Sequence, residues 1–262
     1  QFKVSGSQLN YDSGDQYIKN GLDPSHLALS DIHIKLESVR YHEKNINAEI
    51  PQLSLKEKSG LFITSLNGKI ESDEKTLTVP KLILETPYSK IEAQATIPWS
   101  SLDSIPDGNL TTQLIVSLDR RDVIAALGDL SDSFKSFYPE TSLKLLGLVE
   151  GNLNKIYLRQ LESELPGVFK IDAHGTAEHV MDDINRSGQF FLKAGTNNES
   201  FLRGVLLKES GGRFSIPDHL SLDLQASLAK GEYHADMLLT EQTGNVKLSG
   251  RYHPRFQKYG VD

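Results

Sequence analysis

A chain of 262 residues with 38% hydrophobic and 24% charged residues carries enough apolar side chain to bury a core, which excludes wholesale disorder. Its 28 basic and 35 acidic residues are spread along the chain and give a formal net charge of -7, so there is no basic footprint and nucleic acid is excluded as a partner. Zero cysteines exclude thiolate zinc sites, disulfides and a cysteine nucleophile, and fit an oxidising envelope compartment.

From the N-terminus, the chain opens at Gln1 without an initiator methionine, a basic leader or an apolar leader core. The first hundred residues alternate apolar and polar, but the phase keeps slipping. Leu27 and Leu29 are followed by Ile32, Ile34 and Leu36, then by Val39 and Tyr41. Ile50 is followed by Leu53 and Leu55 across Pro51, and Leu61 and Ile63 by Leu66 and Ile70. A one-residue slip would turn an apolar strand face outward, so each slip predicts a bulge or bend, and repeated bulges predict a curled sheet. Further strand-like runs span Ile91 to Ile97 and Leu110 to Leu118.

One segment breaks the β pattern. Between Asp119 and Tyr138, Val123, Ile124, Leu127, Leu130 and Phe134 recur at helical spacing before Pro139, which predicts an amphipathic helix starting at Asp119 or Asp122. Such a helix covers an open sheet end or a groove mouth.

Beyond it, strand runs span Leu143 to Leu158, Val168 to Ala173, Gln189 to Ala194 and Phe201 to Leu207, with a polar loop from His179 to Ser187 and a turn from Asn197 to Ser200. The clearest alternation is Leu220, Leu222, Leu224, Ala226 and Leu228, resuming as Tyr233, Ala235, Met237 and Leu239, and again as Val246, Leu248 and Tyr252. Short glycine-containing connections make this a three-strand antiparallel meander. Gly68, Gly151, Gly175 and Gly250 sit in register with apolar positions, either as turn or bulge glycines or as sites of close approach. No apolar run approaches the length of a membrane span.

No phosphate loop, dinucleotide fingerprint, nucleophile elbow or metalloprotease helix is present, so no enzymatic activity, cofactor or metal site is expected. Asp172, His174, His179, Asp182 and Asp183 cluster locally, but they are polar-face and loop positions that solvation explains. Trp99, flanked by Pro98 and Ser100, reads as a strand-end core residue or a sugar-stacking platform.

The stretch NGLDPSHLALSDIHIKLESVRY from Asn20, the following NAEIPQLSLKEKSGLFITSLNGKI, and VEGNLNKIYLRQLESELPGVFKIDAHGTAEHV from Val149 resemble the large Bacteroidetes-type members of the AsmA/TamB family. The resemblance implies a periplasmic segment of a protein tethered to the inner membrane by an N-terminal anchor lying outside this chain. It further implies a long curled sheet with an apolar concave face, and a role in phospholipid transport to the outer membrane, in outer-membrane protein assembly and secretion, or in both. The partners it implies are phospholipid acyl chains and an outer-membrane β-barrel assembly-type protein.

The expectation is therefore a mainly β chain, a long curled antiparallel sheet with one short helix. Its sheet is either an open groove or a partly closed sandwich or barrel. Residues 1–118 and 139–262 are expected to form one continuing sheet as a single elongated unit, with residues 119–138 as a covering helix. Lipid-contacting candidates on the apolar face are Leu220, Leu222, Leu224, Leu228, Tyr233, Met237, Leu239, Val246 and Leu248, with Ile91 and Ile97. The same residues could instead form a core between two sheets. The rival function is a surface-exposed β-sandwich for binding or adhesion, for which Tyr11, Tyr17, Tyr88 and Trp99 supply the aromatic candidates.

Overall fold

The computed structural model describes residues 2–14, 20–42, 45–128, 135–136, 138–182, 184–198, 219–253 and 258–261. Among these residues the fold is mainly β with one short α-helix, and fifteen strands pair in the order in which they occur in the chain, without a crossover. The chain divides into two compact units, Gln1–Thr96 with Leu114–Lys144, and Ile97–Gln113 with Leu145–Asp262.

The first unit contains β1 (Phe2–Asp12), β2 (His26–His42), β3 (Asn45–Glu57), β4 (Phe62–Ser72), β5 (Thr76–Glu85) and most of β6 (Lys90–Pro98) and β7 (Leu110–Leu118). The phase slips in the sequence are bulges. Asp31, between Leu29 and Ile32, has φ 50, and Ser38, between Leu36 and Val39, has φ 52. The register of β2 against β3 shifts between Ser30 and His33 and again between Glu37 and Arg40. One residue placed in the left-handed region absorbs the extra position, so the apolar side chains on either side of it return to one face. Leu29 then lies opposite Leu9, and Ile34 opposite both Val4 and Leu53. The strands β1 and β5 extend the sheet beyond the runs singled out in the sequence. Gly6, at φ 65, breaks the alternation of β1, and Pro80 interrupts that of β5.

The helix is shorter than its sequence pattern suggested. It runs from Arg120 to Leu127 (α1). The Asp119 carboxylate caps it, accepting from the Arg121 amide at 3.0 Å and from the Arg121 guanidinium at 2.8 Å. Gly128, at φ 61, ends it, and its backbone lies so close to that of Asn20 and Gly21 that a side chain there would collide. The Leu22 amide donates to the Ala126 carbonyl at 2.8 Å, fixing the same helix end. Leu130 and Phe134, the last members of the expected stripe, lie outside the described residues.

The second unit contains a 3-10 turn (Trp99–Leu102) and the strands β8 (Leu143–Gly151), β9 (Lys155–Leu165), β10 (Phe169–Glu178), β11 (Ser187–Thr196), β12 (Leu220–Ala229), β13 (Glu232–Glu241), β14 (Gly244–His253) and β15 (Lys258–Val261). The run from Leu143 to Leu158 is thus two strands. Asn152 divides it, its side-chain oxygen accepting from the amides of Asn154 and Lys155, both at 3.0 Å. Gly151 is accordingly a turn glycine, pressed against the Lys155 carbonyl. Gly175 marks a close approach instead, since a Cβ there would lie 2.5 Å from the Gln189 carbonyl oxygen. The run from Phe201 to Leu207 lies outside the described residues.

Candidate functional site

The candidate site is one face of the sheet formed by β9 to β14. Strand alternation puts every second side chain on this face, and antiparallel pairing aligns the strands into rows. One row runs Leu161, Ala173, Leu192, Leu224, Met237, Leu248, and a second Ile171, Ala194, Leu222, Leu239, Val246. On the other side of the first lie Leu158, Gly175, Phe190, Ala226, Ala235, Gly250 and then Ile156, Ala177, Gly188, Leu228, Tyr233, Tyr252. The bulge in β9 between Leu158 and Leu161 keeps both residues on this face.

The face is therefore apolar across six neighbouring strands. On β12, β13 and β14 none of its side chains is buried. Leu222, Leu224, Met237 and Leu239 are half-buried, while Val246 is 54%, Tyr233 41% and Leu248 39% exposed. A sealed core would leave such residues almost wholly covered. Toward one end the small residues Gly175, Ala177, Gly188 and Ala226 lower the floor, and Ile156, Leu158, Phe190, Leu228 and Tyr233 border a depression of about 340 Å³.

The opposite face is mainly polar, with Phe191 and Leu238 set among its charged and amide side chains. Lys193 and Asp223 pair across β11 and β12 at 3.8 Å. The Asp236 carboxylate accepts from the Ser249 hydroxyl and faces the His234 ring, each at 2.7 Å. These contacts, the Ser249 bond foremost, hold Asp236 below its ordinary value. The sheet is amphipathic through its thickness, with a hydrated charged side and an apolar side that part of the solvent still reaches.

All the candidate residues on β12 to β14 come together on this face, with Leu220 at its end opposite Thr196 and Glu241. Ile91 and Ile97 sit elsewhere, on β6, Ile91 lining a cavity in the first unit and Ile97 half-buried. Ile156, Leu158, Ile171, Phe190 and Leu192 belong to the face and were not named from sequence. Period-two spacing in β9 to β11 could have found them, but only pairing puts them on one face with Leu224.

The cavity in the first unit lies beneath α1, between it and the strands from β2 to β7, and has a volume of about 410 Å³. Leucine, isoleucine, valine and alanine side chains make up most of its wall, and Asp122 and Glu57 are its two carboxylates. Asp122, 8% exposed, accepts from the Thr86 hydroxyl at 2.5 Å and from the Ser89 hydroxyl, which in turn accepts from the Asp119 amide at 2.9 Å. Burial pushes the Glu57 carboxyl up, but hydrogen bonds from Ser59 and from the Ala28 and Lys58 amides outweigh it and hold Glu57 below its ordinary value.

Among the described residues no three histidine, aspartate or glutamate side chains converge to hold a metal ion. His174 stacks on Phe191, Asp172 pairs with Lys170 at 3.6 Å, and Asp182 accepts from the Ile184 and Asn185 amides. Asp183 lies outside the described residues. Of the aromatic candidates, Trp99 is half-buried, the Arg121 guanidinium covers the Tyr88 ring at 3.3 Å, and Tyr11 is exposed on the edge strand β1. Tyr17 lies outside the described residues. No described helix is long and apolar enough to cross a membrane. Comparison with protein-family models, with curated proteins and with solved structures returns no match.

Proposed function

We propose that this chain is a periplasmic segment of an inner-membrane-anchored protein of the AsmA/TamB kind, which carries phospholipid acyl chains toward the outer membrane along the apolar face of β9 to β14. The observation that carries the reading is the run of apolar rows across neighbouring strands, uninterrupted by charge between Ile171 and Tyr252, with none of its side chains buried on β12 to β14. Acyl chains need no directional recognition. Each methylene removed from water onto such a surface contributes up to about 0.8 kcal/mol, and a continuous lining lets a chain slide without losing that gain at any step. The mechanism is contact without chemistry, and the polar opposite face keeps the segment hydrated. A barrel-assembly partner in the outer membrane and an anchor in the inner membrane belong to the same proposal.

The test is a photo-crosslinking amino acid placed at Leu224 or Met237, on the apolar face, and at Asp223 or Lys193, on the polar face, in cells. Phospholipid adducts identified by mass spectrometry at the first pair and missing from the second are expected. Equal labelling of both faces, or none on either, would sink the reading.

A further inference from the structure

We propose that the cavity beneath α1 is a second binding site, which takes one hydrocarbon tail of a lipid or fatty acid end-first and leaves its headgroup outside. The site rests on the cavity alone, and only the chemical class of its ligand is shared with the acyl-chain reading above.

At about 410 Å³ the cavity falls within the roughly 300–1,000 Å³ of pockets that hold small molecules. The wall facing the helix comes from Leu27, Leu29, Leu55, Ile63, Leu84 and Leu118, while α1 offers only Asp122, Val123 and Ala126. Small residues on the helix leave the space. Hydrogen bonds at both helix ends, through Ser89 to Asp119 and through Leu22 to Ala126, hold the helix over it.

The polarity of the lining selects the ligand. It contains no cationic side chain, and its ionisable groups are the acids Glu57 and Asp122. Thr86 and Ser89 already donate to Asp122, and the Ala28 and Ser59 amides to Glu57, so the wall offers no positive charge to a phosphate or carboxylate. Two buried acids repel an anionic headgroup and leave a tail as the part that fits. The way in is marked by Leu22, which lines the cavity and is 41% exposed, and by β1, where Leu9 and Tyr11, opposite Leu29 and Leu27, continue the apolar floor into solvent.

The experiment uses the full 262-residue chain and palmitic acid bearing a diazirine at its terminal carbon, with adducts mapped by mass spectrometry. Adducts on Leu27, Ile63, Leu118 or Val123 are expected. Ala126→Phe and, independently, Val123→Phe fill the cavity and should each lower the adducts on Leu27, Ile63 and Leu118 by about tenfold, the effect of displacing two chain methylenes. If one variant fails to fold, the other and the unaltered chain still decide. Adducts on β9 to β14 alone overturn this site and leave the proposed function standing. Adducts in the cavity alone uphold the site and count against that function. Labelling of cavity residues that survives both filling variants, or no labelling of them at all, overturns the inference.

Discussion

Single residues set most of the local geometry, and four of them give sharp expectations. Asp122 is buried and accepts from two hydroxyls. Asp122→Ala leaves the Thr86 and Ser89 donors unsatisfied and should lower stability by about 1–3 kcal/mol in urea unfolding. Gly175 and Gly250 look alike in sequence but differ in surroundings. A methyl group at Gly175 meets the Gln189 carbonyl oxygen at 2.5 Å, whereas at Gly250 its nearest neighbour is 3.9 Å away. Gly175→Ala should therefore cost about 1–3 kcal/mol through overpacking, and Gly250→Ala less than about 0.5 kcal/mol. Equal costs would mean that the strands shift freely at both positions. Ser38 holds φ 52 in β2. Ser38→Gly should be neutral or stabilising, and Ser38→Val should destabilise by about 1–2 kcal/mol, because a branched side chain is strained there.

At the level of elements, α1 is an eight-residue helix that could not stand alone and depends on its caps and its docking. Asp119→Ala should cost about 1 kcal/mol through the lost cap. Its acid response has a definite sign. The Arg121 side chain holds the Asp119 carboxyl below its ordinary 3.8 in the folded chain. The stabilisation is thus complete above that ordinary value and is lost as pH falls through the lowered one. Asp119→Asn keeps a cap acceptor but removes this dependence, so helical circular dichroism of the variant should change less than that of the parent on acidification below about pH 4. An unchanged acid profile would show that the Arg121 contact does not hold the helix start.

Across the whole molecule, most of the fold is legible in period-two alternation and the rest follows from pairing. The slips between Leu29 and Ile32 and between Leu36 and Val39 forecast bulges, because a strand has no other way to keep its apolar side chains together. The end of α1 was legible in principle at Gly128, but Leu130 and Phe134 continued the helical spacing and masked the stop. The candidate face was half legible. Leu222, Leu224, Met237 and Leu239 declare themselves by spacing, whereas Phe190, Leu192 and Leu158 join the same face only through register. The cavity beneath α1 had no linear signal, since its wall is drawn from strands far apart in the chain. The exposed edge of the apolar face also has a solution signature. Val246 and Leu248 lie on it with much of their surface in water, so Val246→Lys with Leu248→Lys should reduce binding of a hydrophobic dye while shifting stability by no more than about 1 kcal/mol.

The sequential strand order bears on how such a chain can change its length. Among the described residues each strand hydrogen-bonds only to the strands before and after it, and neighbours run in opposite directions wherever their register is defined. Removing two adjacent strands leaves the flanking pair still antiparallel, with the apolar side chains on the same side if the bulges between them balance. Removing one strand leaves two that point the same way and cannot be joined by a short turn. Hairpins, not strands, are the currency in which this architecture can grow or shrink, and parity rather than composition decides which deletions it survives.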